Sequence, residues 1–241
     1  MEPPRLTLAA QSPADLLVRL ARVDIKVPHG ADGRTAQHCE QYLMARVLAT
    51  LAESPEIRYP VGLQHREKPD FSLQLNECCV GVECVEAVPE EWKRIAAIRD
   101  KEFPDAVVFL PMLKPGRRVF SDPERVAIAR GERAGPPWVG NMAERQWAEA
   151  VAYFVAHKTR KLRAGNYREF ERNWLLIQDE WRVPVYEKED KLQAAQLCIP
   201  MLEESLGGFS FERVYVSSGP YVIRLAPGPV DVQLVRDLWA E

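Results

Sequence analysis

The sequence predicts an α/β protein: a mixed central β-sheet flanked by helices. Three observations predict it. Short segments of strand chemistry alternate along the chain with longer segments of helical periodicity. Trp174-Leu175-Leu176-Ile177 is a continuous apolar run, as expected of a strand buried on both faces. Lys68–Asn76 and Val80–Glu86 read as two strands joined by a tight turn centred on Asn76 and Glu77.

Taken in order, Ala14–Val23 carries Leu16, Leu17, Leu20 and Val23 at helical spacing, behind a Ser12-Pro13 cap. Pro28–Arg34 is a loop. Thr35–Ala52 is helical, with Leu43, Met44, Val47, Leu48 and Leu51 as its apolar stripe. Glu40 falls on the core-facing edge of that stripe, where an acid needs a partner, and His38 points to the surface. After the hairpin, Pro89–Lys101 is helical through Trp92, Ile95, Ala96 and Ile98. Val107–Leu113 is strand or buried helix, and Pro115–Gly140 is a long loop or an inserted subdomain.

Met142–Arg163 is a helix whose last turns bear His157, Lys158, Arg160, Lys161 and Arg163. Asp190–Leu206 is helical, kinked at Pro200 and closed by Gly207-Gly208. Phe211–Ser217 and Tyr221–Leu225 form a strand pair turned at Ser218-Gly219-Pro220, and Val230–Trp239 closes the chain as a short helix. The reading is a single domain over 1–241, with an N-terminal helical extension at 1–33 and an insertion at 104–140.

With 241 residues, 46% of them hydrophobic, the chain is long enough for one sizeable core. No apolar run nears the roughly 20 residues that span a bilayer. The N-terminus lacks the basic start and apolar stretch of a secretory signal, so the expected setting is cytoplasmic, without membrane association. Five cysteines without C-x-x-C spacing give neither a disulfide framework nor a zinc site. No nucleophile elbow or phosphate-cradling glycine loop is present. Between Glu91 and Arg172 stand 17 Lys or Arg against 11 Asp or Glu, although the whole chain carries −3. That asymmetry fits either a polyanion-facing surface or a set of solvated helix faces.

The hairpin carries the chemistry. Pairing about the turn sets Asp70 opposite Glu83, with cross-strand Cβ atoms about 5 Å apart. Like charges that close are costly unless a cation or proton lies between them. Magnesium is commonly held this way, by one or two carboxylates with waters and substrate phosphate.

A helix with Glu40, then Pro69-Asp70, then Glu83 across a turn, then another helix, resembles the PD-(D/E)XK nuclease superfamily. Within it, Pro69-Asp70-Phe71, Gly81–Ala87 and Asn173–Ile177 are similar to phrases of uncharacterised bacterial proteins, with Lys158, Lys161-Leu162 and Tyr167 ahead of the last. The resemblance covers about half the chain, Arg34–Glu102 and Ala148–Gln178. It implies a restriction-endonuclease-like core and Mg²⁺ or Mn²⁺ held by Asp70, Glu83, Glu40 and the backbone carbonyl of Cys84. The implied activity is phosphodiester hydrolysis on nucleic acid, DNA in the first instance. Basic residues of Lys114–Arg133 and His157–Arg172 would hold the backbone.

The sequence departs from the pattern at one position. The family lysine belongs two residues after Glu83, and Val85 stands there. The charge then comes from another element, with Lys158, Lys161 and Lys93 as candidates, or Glu86 assists, or the site is silent. A silent site leaves the second reading, a nuclease-fold protein that binds nucleic acid, a protein partner or a second copy of itself.

Overall fold

Strand Arg172–Asp179 lies near the middle of the molecule because its central side chains, Trp174–Ile177, leave no polar face. Trp174 and Leu176 enter one buried cluster, and Leu175 and Ile177 enter another on the opposite side. The computed structural model describes residues 4–28, 32–108, 113–117, 120–133, 135, 137–166, 170–206, 210–226 and 228–239. Among these residues eight strands form one open mixed sheet: β1 (Thr7–Ala10), β2 (Val61–His65), β3 (Phe71–Leu75), β4 (Cys78–Ala87), β5 (Arg172–Asp179), β6 (Arg213–Ser218), β7 (Tyr221–Ala226) and β8 (Asp231–Leu234). Their order across the sheet is their order along the chain. β4, β5 and β6 run parallel, and every other neighbouring pair is antiparallel.

The parallel pairs need crossovers, and helices supply them. Helices α3 (Glu90–Glu102), α4 (Asp122–Ala129) and α5 (Met142–Lys161) lead from β4 to β5, and α6 (Lys188–Leu206) leads from β5 to β6. Buried residues of α5 and α6 pack with Leu175, Ile177, Val214 and Val216. On the other face, α1 (Pro13–Leu20) and α2 (Ala36–Leu51) pack over Phe71, Leu73, Val82, Trp174 and Tyr215. α1 starts at Ser12, whose hydroxyl accepts from the Asp15 amide at 3.3 Å, with Pro13 in its first turn. Asp179, at the end of β5, ties the α5 and α6 layer to the sheet. It accepts from the Trp147 indole (2.7 Å), the Trp181 amide (2.9 Å) and Ser218, and Lys191 of α6 stands 3.8 Å away.

The expected α/β architecture, with helices on both faces of a mixed sheet, is present, and several details differ. The N-terminal segment holds α1 but is not a purely helical extension: Thr7–Ala10 pairs with β2 as an edge strand. Strand β2 had no counterpart in the sequence reading. Val230–Trp239 is not a helix. Val230, Val232 and Leu234 alternate at the strand period, and pairing with β7 decides the conformation. His38 is buried, not on the surface; its ring Nδ1 accepts from the Thr35 amide at 3.2 Å, closing the first turn of α2. Pro200 lies inside α6 without ending it. The segment 104–140 contains α4, whose buried Arg125 pairs with buried Glu91 of α3 at 2.8 Å. Residues 109–112 of the Val107–Leu113 run, Tyr167 and the Gly207-Gly208 cap lie outside the described residues. Among the described residues no helix is long and apolar enough to cross a membrane.

Candidate functional site

The β3–β4 hairpin builds the site by its register. The two-residue turn Asn76-Glu77 follows from Asn76 adopting φ 55°, a left-handed conformation that asparagine tolerates better than most residues. Leu75 then pairs with Cys78 and Phe71 with Val82. One step further along this register, Asp70 faces Glu83. Alternation sends Phe71, Val82 and Cys84 toward α2. Glu83, Val85 and Ala87 therefore turn the other way, toward α5.

Asp70 is anchored by the next peptide: its Oδ2 accepts from the Cys84 amide at 2.7 Å. Glu83 is 6% exposed, so its charge needs a partner within the fold. Lys158 of α5 supplies one. Its Nζ donates to Glu83 Oε1 and to the backbone carbonyl of Cys84, the latter at 3.0 Å. Glu40 of α2 accepts from His65 Nε2 at 2.9 Å, and the His65 ring stacks on Phe71 with centroids 4.4 Å apart. Cys84 thus has an acid at its backbone amide and a lysine at its backbone carbonyl.

The charges feel one another. The Asp70 carboxyl is pushed up to about 7, first by burial and then by the nearby Glu83 and Glu40 carboxylates; the Cys84 amide and Lys158 pull the other way. Burial, reinforced by the same three acids, raises the Cys84 thiol well above its usual range. Cys84 therefore offers a carbonyl oxygen to this site rather than a thiolate.

The sequence candidates separate clearly. Asp70, Glu83, Glu40, Lys158 and the Cys84 carbonyl come together. Lys161 does not join them: it is exposed at the end of α5, where burial first, and then the Lys161 charge, lower the pKa of His157. Glu86 does not assist, because alternation turns it away; it pairs with Arg34 and lies 3.9 Å from Lys93. Lys93 is thereby directed to Glu86 rather than to Glu83. His65 is the buried support of Glu40. Its role was legible only through the unassigned alternation Val61, Leu63, His65, which places all three on the inner face of β2.

As a metal centre the donor set is all oxygen: two carboxylates and a carbonyl. That fits a hard divalent ion, which takes one or two protein carboxylates and completes its shell with water and phosphate. Glu40, turned to His65, contributes as a neighbouring charge. Among the described residues no three His, Cys, Asp or Glu side chains form a group that could hold an ion by themselves. A separate open cleft of about 1660 Å³ lies at the C-terminal ends of β4 and β5, lined by Arg34, Glu86, Trp92, Lys93, Glu180 and Arg182 among others; Asp70, Glu83 and Lys158 are not in its wall.

No family model, curated protein or solved structure matches this chain.

Proposed function

We propose that this chain is a metal-dependent phosphodiester hydrolase with a restriction-endonuclease-like core, acting on nucleic acid and in the first instance on DNA. One observation carries the reading: Lys158 reaches from α5 to Glu83 and the Cys84 carbonyl. In the PD-(D/E)XK pattern a lysine belongs two residues after the second acid, and Val85 cannot fill that role. An ammonium delivered from the neighbouring helix to the same strand restores the missing charge without the expected sequence spacing.

In this reading Asp70, Glu83 and the Cys84 carbonyl would hold Mg²⁺ or Mn²⁺. When bound, the ion would lower the pKa of a coordinated water and neutralise phosphate charge. The chain's own residues do the positioning. The Cys84 amide fixes the Asp70 carboxylate, and His65 fixes Glu40. Lys158 orients Glu83 and keeps ammonium protons available for a phosphate oxygen. His157, Arg160, Lys161 and Arg163, at the same end of α5, extend positive charge for a polyanion backbone.

The test is cleavage of supercoiled plasmid and of single-stranded DNA and RNA with Mg²⁺ or Mn²⁺. Loss of cleavage in Asp70→Ala, Glu83→Ala and Lys158→Ala supports the assignment. Equal cleavage by the wild type and all three variants rejects it.

A second reading, a silent nuclease-fold protein that binds nucleic acid or a protein partner, is favoured by the same lysine. Its ammonium already occupies the place of a cation between Glu83 and the Cys84 carbonyl. Metal-independent DNA binding that survives Glu83→Ala, with no cleavage in any metal, selects this reading.

A further inference from the structure

We propose that a pocket on the opposite face of the sheet binds a phosphate dianion, free or carried on a small phosphomonoester. The pocket measures about 300 Å³ and is walled by Arg58, Arg172, Arg213, Arg224, Glu56 and Trp174. Register explains how four arginines meet. Arg172 opens β5, Arg213 opens β6 opposite Trp174, and Arg224 of β7 pairs with Tyr215. Trp174 and Tyr215 belong to the α2-side cluster, so these positions share that face, and Arg58 arrives from the link between α2 and β2. Asp70, Glu83 and Lys158 occupy the other face, which makes this site independent of the proposed hydrolase centre.

Four guanidinium groups around one small cavity repel each other, and the carboxylates present balance only half of them. Glu56 pairs with Arg224 at 2.6 Å and with Arg213 at 3.4 Å. Glu212 pairs with Arg172 and lies 3.7 Å from Arg213. Asp231, opposite Arg224 on the next strand, makes no ion pair among the described residues and accepts from Gln233 at 2.6 Å. Arg58 has no ion pair among the described residues. Two positive charges remain, which matches a dianion.

A second observation points to a ligand. Trp174 is 1% exposed, and its indole N–H has no hydrogen-bond partner among the described residues. The Nε–H of Arg224 is also buried and without a partner among the described residues, and that of Arg213 meets only Glu56 Oε2, at 3.4 Å. Buried donors are normally satisfied, and the two unsatisfied donors of Trp174 and Arg224, on residues walling one cationic pocket, suit a compact oxyanion with several acceptor oxygens. Arginine is the residue that binds such oxygens with fork geometry. The volume accepts phosphate together with a small attached group.

The experiment is calorimetry and thermal unfolding of the full chain with inorganic phosphate, with adenosine monophosphate, and with chloride at matched ionic strength. Saturable phosphate binding is expected, with a Tm rise of about 3–6 °C at tenfold over Kd. Arg58→Gln, at an exposed position outside the ion pairs, should weaken binding about tenfold, and Arg213→Gln at least as much. Lys158→Met should leave it unchanged. Tighter binding of the nucleotide identifies a phosphomonoester site, and equal binding identifies a free-phosphate site. The proposal is overturned if phosphate behaves like chloride. Binding that survives both arginine variants, or is lost in Lys158→Met, overturns it too.

Discussion

The Lys158 ammonium and the Glu83 carboxylate meet across 75 residues of sequence, one from the last turns of α5 and the other from the inner face of β4. The contact joins the helical layer to the hairpin that carries Asp70, so its loss should be felt in both stability and chemistry.

Lys158→Ala leaves a nearly buried carboxylate without its cation. Breaking such a pair costs about 3–5 kcal/mol when it is fully buried. The slight residual exposure here, 12% and 8%, brings the expectation to roughly 2–4 kcal/mol. Adding Glu83→Gln should recover part of the loss. Urea unfolding of the two single variants and the double variant measures the coupling, and strictly additive costs would deny the contact.

Asp70 makes stability depend on pH in the direction opposite to an ordinary paired carboxylate. Its pKa is raised from 3.8 to about 7, so the folded chain keeps a proton that the unfolded chain has already lost. Stability should therefore fall as pH rises from about 4 to about 7, then level off. Asn can still accept from the Cys84 amide without the charge. Asp70→Asn should thus be more stable than wild type at pH 8, by on the order of 1–3 kcal/mol, with the gap closing by pH 4. Denaturant titrations at the two pH values decide it.

If the oxygen cluster holds a divalent ion, Mn²⁺ relieves the repulsion that Asp70 and Glu83 share. At tenfold over Kd a single bound ion should stabilise the wild type by about 1.4 kcal/mol. Asp70→Asn and Glu83→Gln should show little of that gain, and chelator should reverse it in the wild type. A gain of equal size in all three proteins would place the ion elsewhere.

Buried Arg125 fastens α4 to α3 through Glu91, with a further bond to Asp122. Arg125→Met should detach α4 while leaving the sheet intact, since the α3–α4 contact stands apart from the strand ladder. Limited proteolysis should then cut earlier between α3 and α5, with the β4–β5 core resistant. An unchanged digestion pattern would show that other contacts suffice.

The parts of the fold that were legible in the sequence are those with strong local signatures. Trp174–Ile177 announced a doubly buried strand, Asn76-Glu77 announced the turn, and the stripe of Leu43, Val47, Leu48 and Leu51 announced α2. The parts missed depend on pairing. Thr7–Ala10 and Asp231–Leu234 are four-residue edge strands, too short for periodicity to register, and only their neighbours β2 and β7 define them. For the site, Asp70 and Glu83 followed from register alone. Lys158 could be named as a candidate but not chosen over Lys161, because residues three apart share a helix face and spacing alone cannot separate them. Glu40 needed a partner by its burial, and nothing local identified His65, because the β2 strand itself had gone unassigned.

Because position across the sheet repeats position along the chain, no strand has to slip between two partners already joined. Each new one adds to the edge left by its predecessor. Assembly can therefore proceed outward from the central parallel trio, and trimming the chain after β7 should shorten the sheet by one rung instead of opening a gap in its middle. Truncation there would thus spare the connectivity and cost the packing of Val232, Val235, Leu238 and Trp239 against the two cores.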